Sequence, residues 1–282
     1  MVAAQRITTR NARFQQWLAE LSNRRTRQRE REFLIQGVRP ITQAVEHGWP
    51  LRALLFDPAR SPSAWARDLL REVRAEKIAM APDLLAELGE KDEGVPELIA
   101  VASLPDDELR RVPIGPDFLG VVFDRPSSPG NIGTIIRSAD SFGAHGVVVT
   151  GHAADVYDPK CVRASTGSLF ALPVVRAPGL REVGAWLDAA GGRGQRVTVV
   201  GTDEHGSAEA ADFDLTGPVL LVIGNETAGL SAAWRERCDV LVRIPMTGSA
   251  SSLNAASAAS VMLYEAARQR ARAGAPAAQA QM

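Results

Sequence analysis

The stretch IPMTGSASSLNAASAASVMLYEAARQRA, Ile244 to Ala271, holds in one run the parts of a ligand cradle in an α/β protein. A short apolar strand ends at Val242 to Ile244, a loop of proline, glycine and small hydroxyl residues follows, and the chain enters an alanine-rich helix at about Ser252. Gly248, Ser249 and Ala250 carry little bulk, so backbone N–H groups can approach a ligand. Ser251 or Ser252 can cap the helix, with Asn254 in its first turn. Any strand-to-helix loop favours a glycine and a capping serine, so the weight of this one depends on its neighbours.

Leu119–Phe123, Gly146–Val149, Val197–Val200 and Val219–Ile223 are further apolar runs separated by helical stretches. Strands buried on both faces read this way, which predicts a mainly parallel sheet covered by helices. Ligands of open α/β sheets bind beyond the carboxyl ends of the strands, so the loops there should converge. One is DRPSSPGNIGTIIRSADSFG, Asp124 to Gly143; its helix begins near Asn131 and buries Ile132, Ile135, Ile136, Ala139 and Phe142. Gly133 and Arg137, four apart, share another face, where Arg137 either meets a ligand or pairs with Asp140 on solvated surface. A second is GNETAGLS, Gly224 to Ser231, which sets Glu226 between two glycines to receive a cationic group or to cap a helix.

Upstream, Phe14, Trp17, Leu18 and Leu21 mark an amphipathic helix over 11–23. Apolar strands at 33–35, 51–56, 78–80 and 98–104, with helices from Val38, Pro62 and Pro82, make a small α/β unit spanning 1–104. Residues 105–117, with three prolines and little periodicity, read as a linker; 118–274 form the second domain and 275–282 a disordered tail.

Two cysteines, Cys161 and Cys238, and four dispersed histidines give no disulfide framework and no metal-ligand spacing, so no metal is expected. No apolar run reaches membrane-spanning length and the Arg-rich start has no signal-peptide character, so the expected compartment is the cytosol. The net charge of −1 advertises no nucleic-acid partner, but Arg24, Arg25, Arg27, Arg29 and Arg31 form a local basic block suited to phosphate, within a chain that uses arginine in preference to lysine throughout. Neither GxGxxG after an early strand nor GxxxxGK[ST] occurs, which disfavours dinucleotide and nucleoside-triphosphate enzymes, and no GxSxG elbow supports acyl transfer.

NIGTIIRSADSFG (131–143), IGNETAGLS (223–231) and IPMTGSASSLNAASAA (244–259), in this order and spacing, resemble the motifs of the SpoU, or TrmH-type, RNA ribose 2′-O-methyltransferases. KCVRASTGSL (160–169) is similar to the family's intermediate segment, and EFLIQGVRPITQAV (32–45) to its small L30e-like substrate-binding domain. Gln36 stands where the family usually has an acid, and Ala250, Ala255 and Ala256 replace larger or hydroxyl residues. The resemblance implies a trefoil-knotted catalytic domain, S-adenosylmethionine as cofactor, a homodimer, and RNA as substrate, ribosomal RNA rather than tRNA given the separate N-terminal domain. It places Thr202, Gly224, Ile244, Met246 and Leu253 at the cofactor and Asn131, Arg137, Glu226, Ser252 and Asn254 in the catalytic pocket. Arg137 would act either as a neutral base or as a charged stabiliser of the alkoxide. Rival readings are a tRNA ribose methyltransferase, a base methyltransferase of the same knotted class, and an RNA-binding protein of this fold without catalysis.

Overall fold

The computed structural model describes residues 5–89 and 95–274, so the expected tail at 275–282 lies outside the described residues. The chain forms two compact units: residues 1–106 with 157–171, and residues 107–156 with 172–282.

The first unit runs β1 (Gln5–Ile7), α1 (Ala12–Ser22), α2 (Arg24–Glu30), β2 (Glu32–Gln36), α3 (Val38–Glu46), β3 (Leu51–Phe56), α4 (Ala64–Glu72), β4 (Glu76–Met80), α5 (Pro82–Leu88) and β5 (Leu98–Ser103). Its sheet has the order β1-β4-β3-β5-β2, parallel across β1/β4 and β3/β4 and antiparallel across β3/β5 and β2/β5. Phe14 and Trp17 of α1 pack with Leu34, Leu55, Ile78 and Leu85 in one core. Asn11 starts α1 by accepting from the Phe14 N–H, and Asn23 ends that helix and caps α2.

The arginine block folds as α2 with Arg31 closing it at φ 58°, and the helix sorts its members. Arg24 and Arg25 are exposed, Arg29 pairs with Glu30 at 2.6 Å, and Arg31 binds Asp106 at 2.5 Å and the Leu104 carbonyl at 3.1 Å. Arg27, expected among the RNA contacts, is 2% exposed; it donates to the Glu20 carbonyl and lies 3.9 Å from Asp158. Its guanidinium serves the interior of the fold.

Residues 157–171, which the sequence places inside the second domain, join the first unit as α7 (Pro159–Ser165) and α8 (Ser168–Ala171). The reason is aromatic: Phe33 meets Tyr157 at 4.8 Å between centroids, Phe170 stands edge-on to Trp49 at 5.0 Å, and Trp49 Nε1 donates to the Phe170 carbonyl.

The second unit contains β6 (Leu119–Asp124), α6 (Pro129–Ser141), β7 (Gly146–Thr150), β8 (Val174–Ala177), α9 (Leu180–Gly191), β9 (Thr198–Thr202), β10 (Ala208–Glu209), β11 (Val219–Ile223), α10 (Ala232–Arg237), β12 (Val240–Arg243) and α11 (Ala255–Gly274). Its sheet, ordered β10-β12-β9-β11-β6-β7-β8, is parallel at every pairing. Val122, Val148, Leu220 and Val222 fill one face with Trp234. Part of the stretch read as a linker belongs here: Val112 is in this core and Ile114 packs against it. α11 lies on α6 and β11, with Ser138 and Ser260 hydroxyls 2.7 Å apart and Phe142 edge-on to Tyr264. No helix among the described residues is long and apolar enough to cross a membrane.

Candidate functional site

A cavity of about 420 Å³ opens where β9, β11 and β12 end, entirely within the second unit. Its walls are residues 202–204, 223–229 and 251–253, with Arg235, Val242, Ile244, Met246, Ala255 and Ala258. This size is in the range of small-molecule sites. Gly224 makes it possible: a Cβ there would lie 2.3 Å from the Gly229 carbonyl carbon and 2.4 Å from the Leu230 nitrogen. The bare backbone lets the chain double back, and Asn225 and Gly229 close the turn by exchanging two backbone hydrogen bonds at 3.0 Å.

Thr202, Gly224, Ile244, Met246 and Leu253 all line the cavity. Met246 and Leu253 are large apolar side chains left partly open to solvent, 37% and 40% exposed, at its rim. Glu226 and Ser252 line it too. Asn131 and Asn254 are tied to it by a relay: Asn254 Nδ2 donates to Asn131 Oδ1 at 3.2 Å, and Asn131 Nδ2 donates to Glu226 Oε1 at 3.0 Å. One line of side chains thus links α6, the loop after β11 and the start of α11.

Among the described residues the partners of Glu226 are neutral donors. Its carboxylate accepts from the Ser127 N–H and hydroxyl, both at 3.0 Å, from the Ser128 N–H at 3.1 Å, and from Asn131. These groups sit at the amino end of α6, where the helix dipole favours an anion. Partial burial pushes the carboxyl up, but the Ser127 N–H, the Asn131 amide and the Ser127 hydroxyl outweigh it and hold it below the usual carboxylate value.

The start of α11 differs from expectation. The helix begins at Ala255, and its cap is Asn254, whose Oδ1 accepts from the Ala256 and Ser257 N–H groups at 2.9 and 3.3 Å. Ser251 and Ser252 stay in the exposed loop. α6 begins earlier than expected, at Pro129, capped by Ser128.

Arg137 stands apart. It lies six residues beyond Asn131 on α6, exposed, and is not among the residues lining the cavity. Gly133 is buried, so the two do not share an open face, and among the described residues the guanidinium has neither the Asp140 pair nor another partner. Three anchors were not anticipated: buried Asp124, which accepts from the Ser231 N–H at 3.0 Å; Arg125; and Asn225, whose Nδ2 donates to the Arg125 carbonyl at 2.7 Å. An acid closing the otherwise apolar run LGVVFD was the available signal. Asp203, 6% exposed in its side chain, pairs with Arg235 in the cavity wall. Among the described residues no group of three His, Cys, Asp or Glu could hold a metal ion. Burial raises the Cys238 thiol to about 12, which leaves it chemically quiet.

The SpoU rRNA Methylase family matches residues 119–264 and the SpoU L30e-like domain residues 11–100. The chain is 66% identical over 268 residues to the 23S rRNA (uridine(2479)-2′-O)-methyltransferase of Streptomyces viridochromogenes, covering 95% of this chain and 93% of the other. The crystal structure of the SpoU methyltransferase AviRb from Streptomyces viridochromogenes in complex with the cofactor AdoMet matches with a TM-score of 0.90 at 65% identity, covering 93% of this chain and 99% of that one. The AdoMet-bound rRNA methyltransferase from Sinorhizobium meliloti matches with a TM-score of 0.81 at 29% identity, covering 94% and 98%. Matched in both its units and along nearly its whole length, the chain belongs to the SpoU rRNA methylase family.

Proposed function

We propose that this protein transfers a methyl group from S-adenosylmethionine to a ribose 2′-hydroxyl of large-subunit ribosomal RNA. The observation that carries the reading is the Asn254–Asn131–Glu226 relay beside a cavity built on the bare backbone of Gly224, in a chain 66% identical to a 23S rRNA uridine 2′-O-methyltransferase. Thr202, Gly224, Ile244, Met246 and Leu253 would hold the cofactor, which supplies an electrophilic methyl carbon on a sulfonium sulfur; displacement at that carbon needs no metal.

The protein must align the hydroxyl and help it lose its proton. Glu226, saturated by neutral donors, fixes the two loops to each other and leaves that proton to water or another acceptor. Ser252 and Asn254 orient the ribose. A guanidinium is a cation in ordinary settings, so Arg137 acts by stabilising the developing alkoxide and a neighbouring phosphate.

The reading includes a homodimer and the family's trefoil path. Val261 and Tyr264, 40% and 55% exposed on α11, are large apolar side chains that a second copy would cover, and since α11 packs on α6, which carries exposed Arg137, such an assembly would bring Arg137 to a substrate ribose. The path is supported by α11, which returns from β12 to pack on α6 and β11. The first unit would grip RNA through exposed Arg24 and Arg25.

The test is transfer of tritium from labelled S-adenosylmethionine to a 23S rRNA transcript and, in parallel, to tRNA, followed by nucleoside analysis. A 2′-O-methylated nucleoside is expected; label on a base, label confined to tRNA, or RNA binding without transfer would each refute the reading.

A further inference from the structure

We propose that Arg125 is the positioning residue that holds the 225–229 turn in its cofactor-receiving form, an inference that rests on reading the cavity as the S-adenosylmethionine site. Arg125 directly follows β6 and takes φ 53°, a left-handed conformation that residues with a Cβ rarely adopt. Glycine would occupy that position without strain, so an arginine there calls for a function that only its side chain provides.

That side chain reaches across the strand ends. Nη2 donates to the Gly229 carbonyl at 3.0 Å, and Nε donates to Asp124 Oδ2 at 3.1 Å. Its backbone N–H donates to the Thr150 carbonyl at 3.0 Å, while its own carbonyl accepts from Asn225 Nδ2 at 2.7 Å. Room for the stem comes from Gly151, where a Cβ would approach Arg125 Cγ to 2.7 Å. Asn225 and Gly229 are the two ends of the turn, and Arg125 holds both, one through its carbonyl and the other through its guanidinium.

All five residues of that turn line the cavity. Inside the turn Asn225 Oδ1 accepts from the Thr227 and Ala228 N–H groups at 2.9 Å, while Gly229, at φ 64°, has no side chain to fix its end and is held by the Asn225 backbone and the Arg125 guanidinium. A turn that spends only a fraction of its time in the receiving form weakens apparent affinity by that fraction. Arg125 therefore sets how much of the protein is ready for the cofactor, without itself lining the cavity.

The experiment uses the full chain, with titration calorimetry of S-adenosylmethionine, melting curves and steady-state methyl transfer. Arg125→Gly removes the guanidinium and relieves the left-handed strain. Arg125→Asn keeps a residue that tolerates that conformation but is too short to reach Gly229, and it carries the test if the glycine variant does not fold. The expected result for either is a Kd and KM for S-adenosylmethionine raised about tenfold and a kcat at saturating cofactor within about threefold of the original, with relief of the left-handed strain offsetting part of the lost Asp124 contact in the Tm. Arg125→Lys, with one donor in place of the fork, should recover part of the affinity. An unaltered Kd in both short variants, whatever the Tm, would overturn the role of Arg125 and leave the cavity's assignment standing. Failure of the unaltered chain to bind S-adenosylmethionine would overturn that assignment and this inference with it.

Discussion

Asn254 gives the oxygen of its side-chain amide to the first N–H groups of α11 and the nitrogen to Asn131, 3.2 Å away. One residue therefore both starts a helix and ties the third loop to the first. The two duties separate by substitution. Asn254→Asp keeps the cap but sets an acceptor against Asn131 Oδ1, so it should melt near the original temperature while methyl transfer falls about 10- to 100-fold. Asn254→Ala should lose both, with about 1 kcal/mol of stability gone. Equal activity in the aspartate variant would remove the relay from the mechanism.

Arg137→Ala removes an exposed cation with no partner among the described residues, so the fold should not notice. Turnover is expected to drop about 10²- to 10⁴-fold, with cofactor affinity little changed. Single-turnover rates with labelled cofactor decide it, and near-normal rates would exclude Arg137 from the chemistry.

Gly224→Ala places a Cβ 2.3 Å from backbone, which no side-chain rotation relieves. The 225–229 turn must shift, at a cost of about 1–3 kcal/mol. Calorimetry should show cofactor binding lost while circular dichroism still reports a folded chain.

The first unit carries a pH dependence. Glu20 is 1% exposed, and burial raises its carboxyl to about 8; Gln16 draws it back in part, and Glu32 and Glu30 add repulsion. In the unfolded chain the same group ionises near 4.5. Between these values the unfolded state gives up its proton first, so the stability this group allows is complete below the lower value and is lost as pH rises to the upper. Tm should therefore fall from about pH 5 to about pH 8, and Glu20→Gln should flatten that slope.

The arginines of α2 should divide by burial. Replacing Arg24 and Arg25 with alanine is expected to weaken RNA binding and reduce the salt slope by about 0.7 per lost phosphate contact. Arg27→Ala should leave the slope alone and cost about 2–4 kcal/mol of stability, because its buried guanidinium holds the Glu20 carbonyl.

Much of this was legible in the residues. Strands buried on both faces declare themselves, and the loops after β6, β11 and β12 meet through the hydrogen bonds that join Ser127 and Asn131 to Glu226 and Asn254. The less visible features depend on distant partners. Among Ser251, Ser252 and Asn254, all competent caps, the choice falls on the one that Asn131 engages. RRTRQRE has no apolar period because its buried residues are Thr26 and Arg27, so α2 is silent in hydropathy. Gln5–Ile7 and Val174–Ala177 are too short to signal strands alone; pairing with β4 and β7 defines them.

The assignment of residues 157–171 to the first unit has a consequence for how the protein is made. Phe33 and Trp49 wait for Tyr157 and Phe170, so on the ribosome this aromatic cluster of the first unit cannot close until β6, α6 and β7 have already emerged. A single cut after residue 106 would leave the first fragment short of 157–171, and the methyltransferase half expressed alone would carry that stretch as an orphaned aromatic segment, an aggregation hazard.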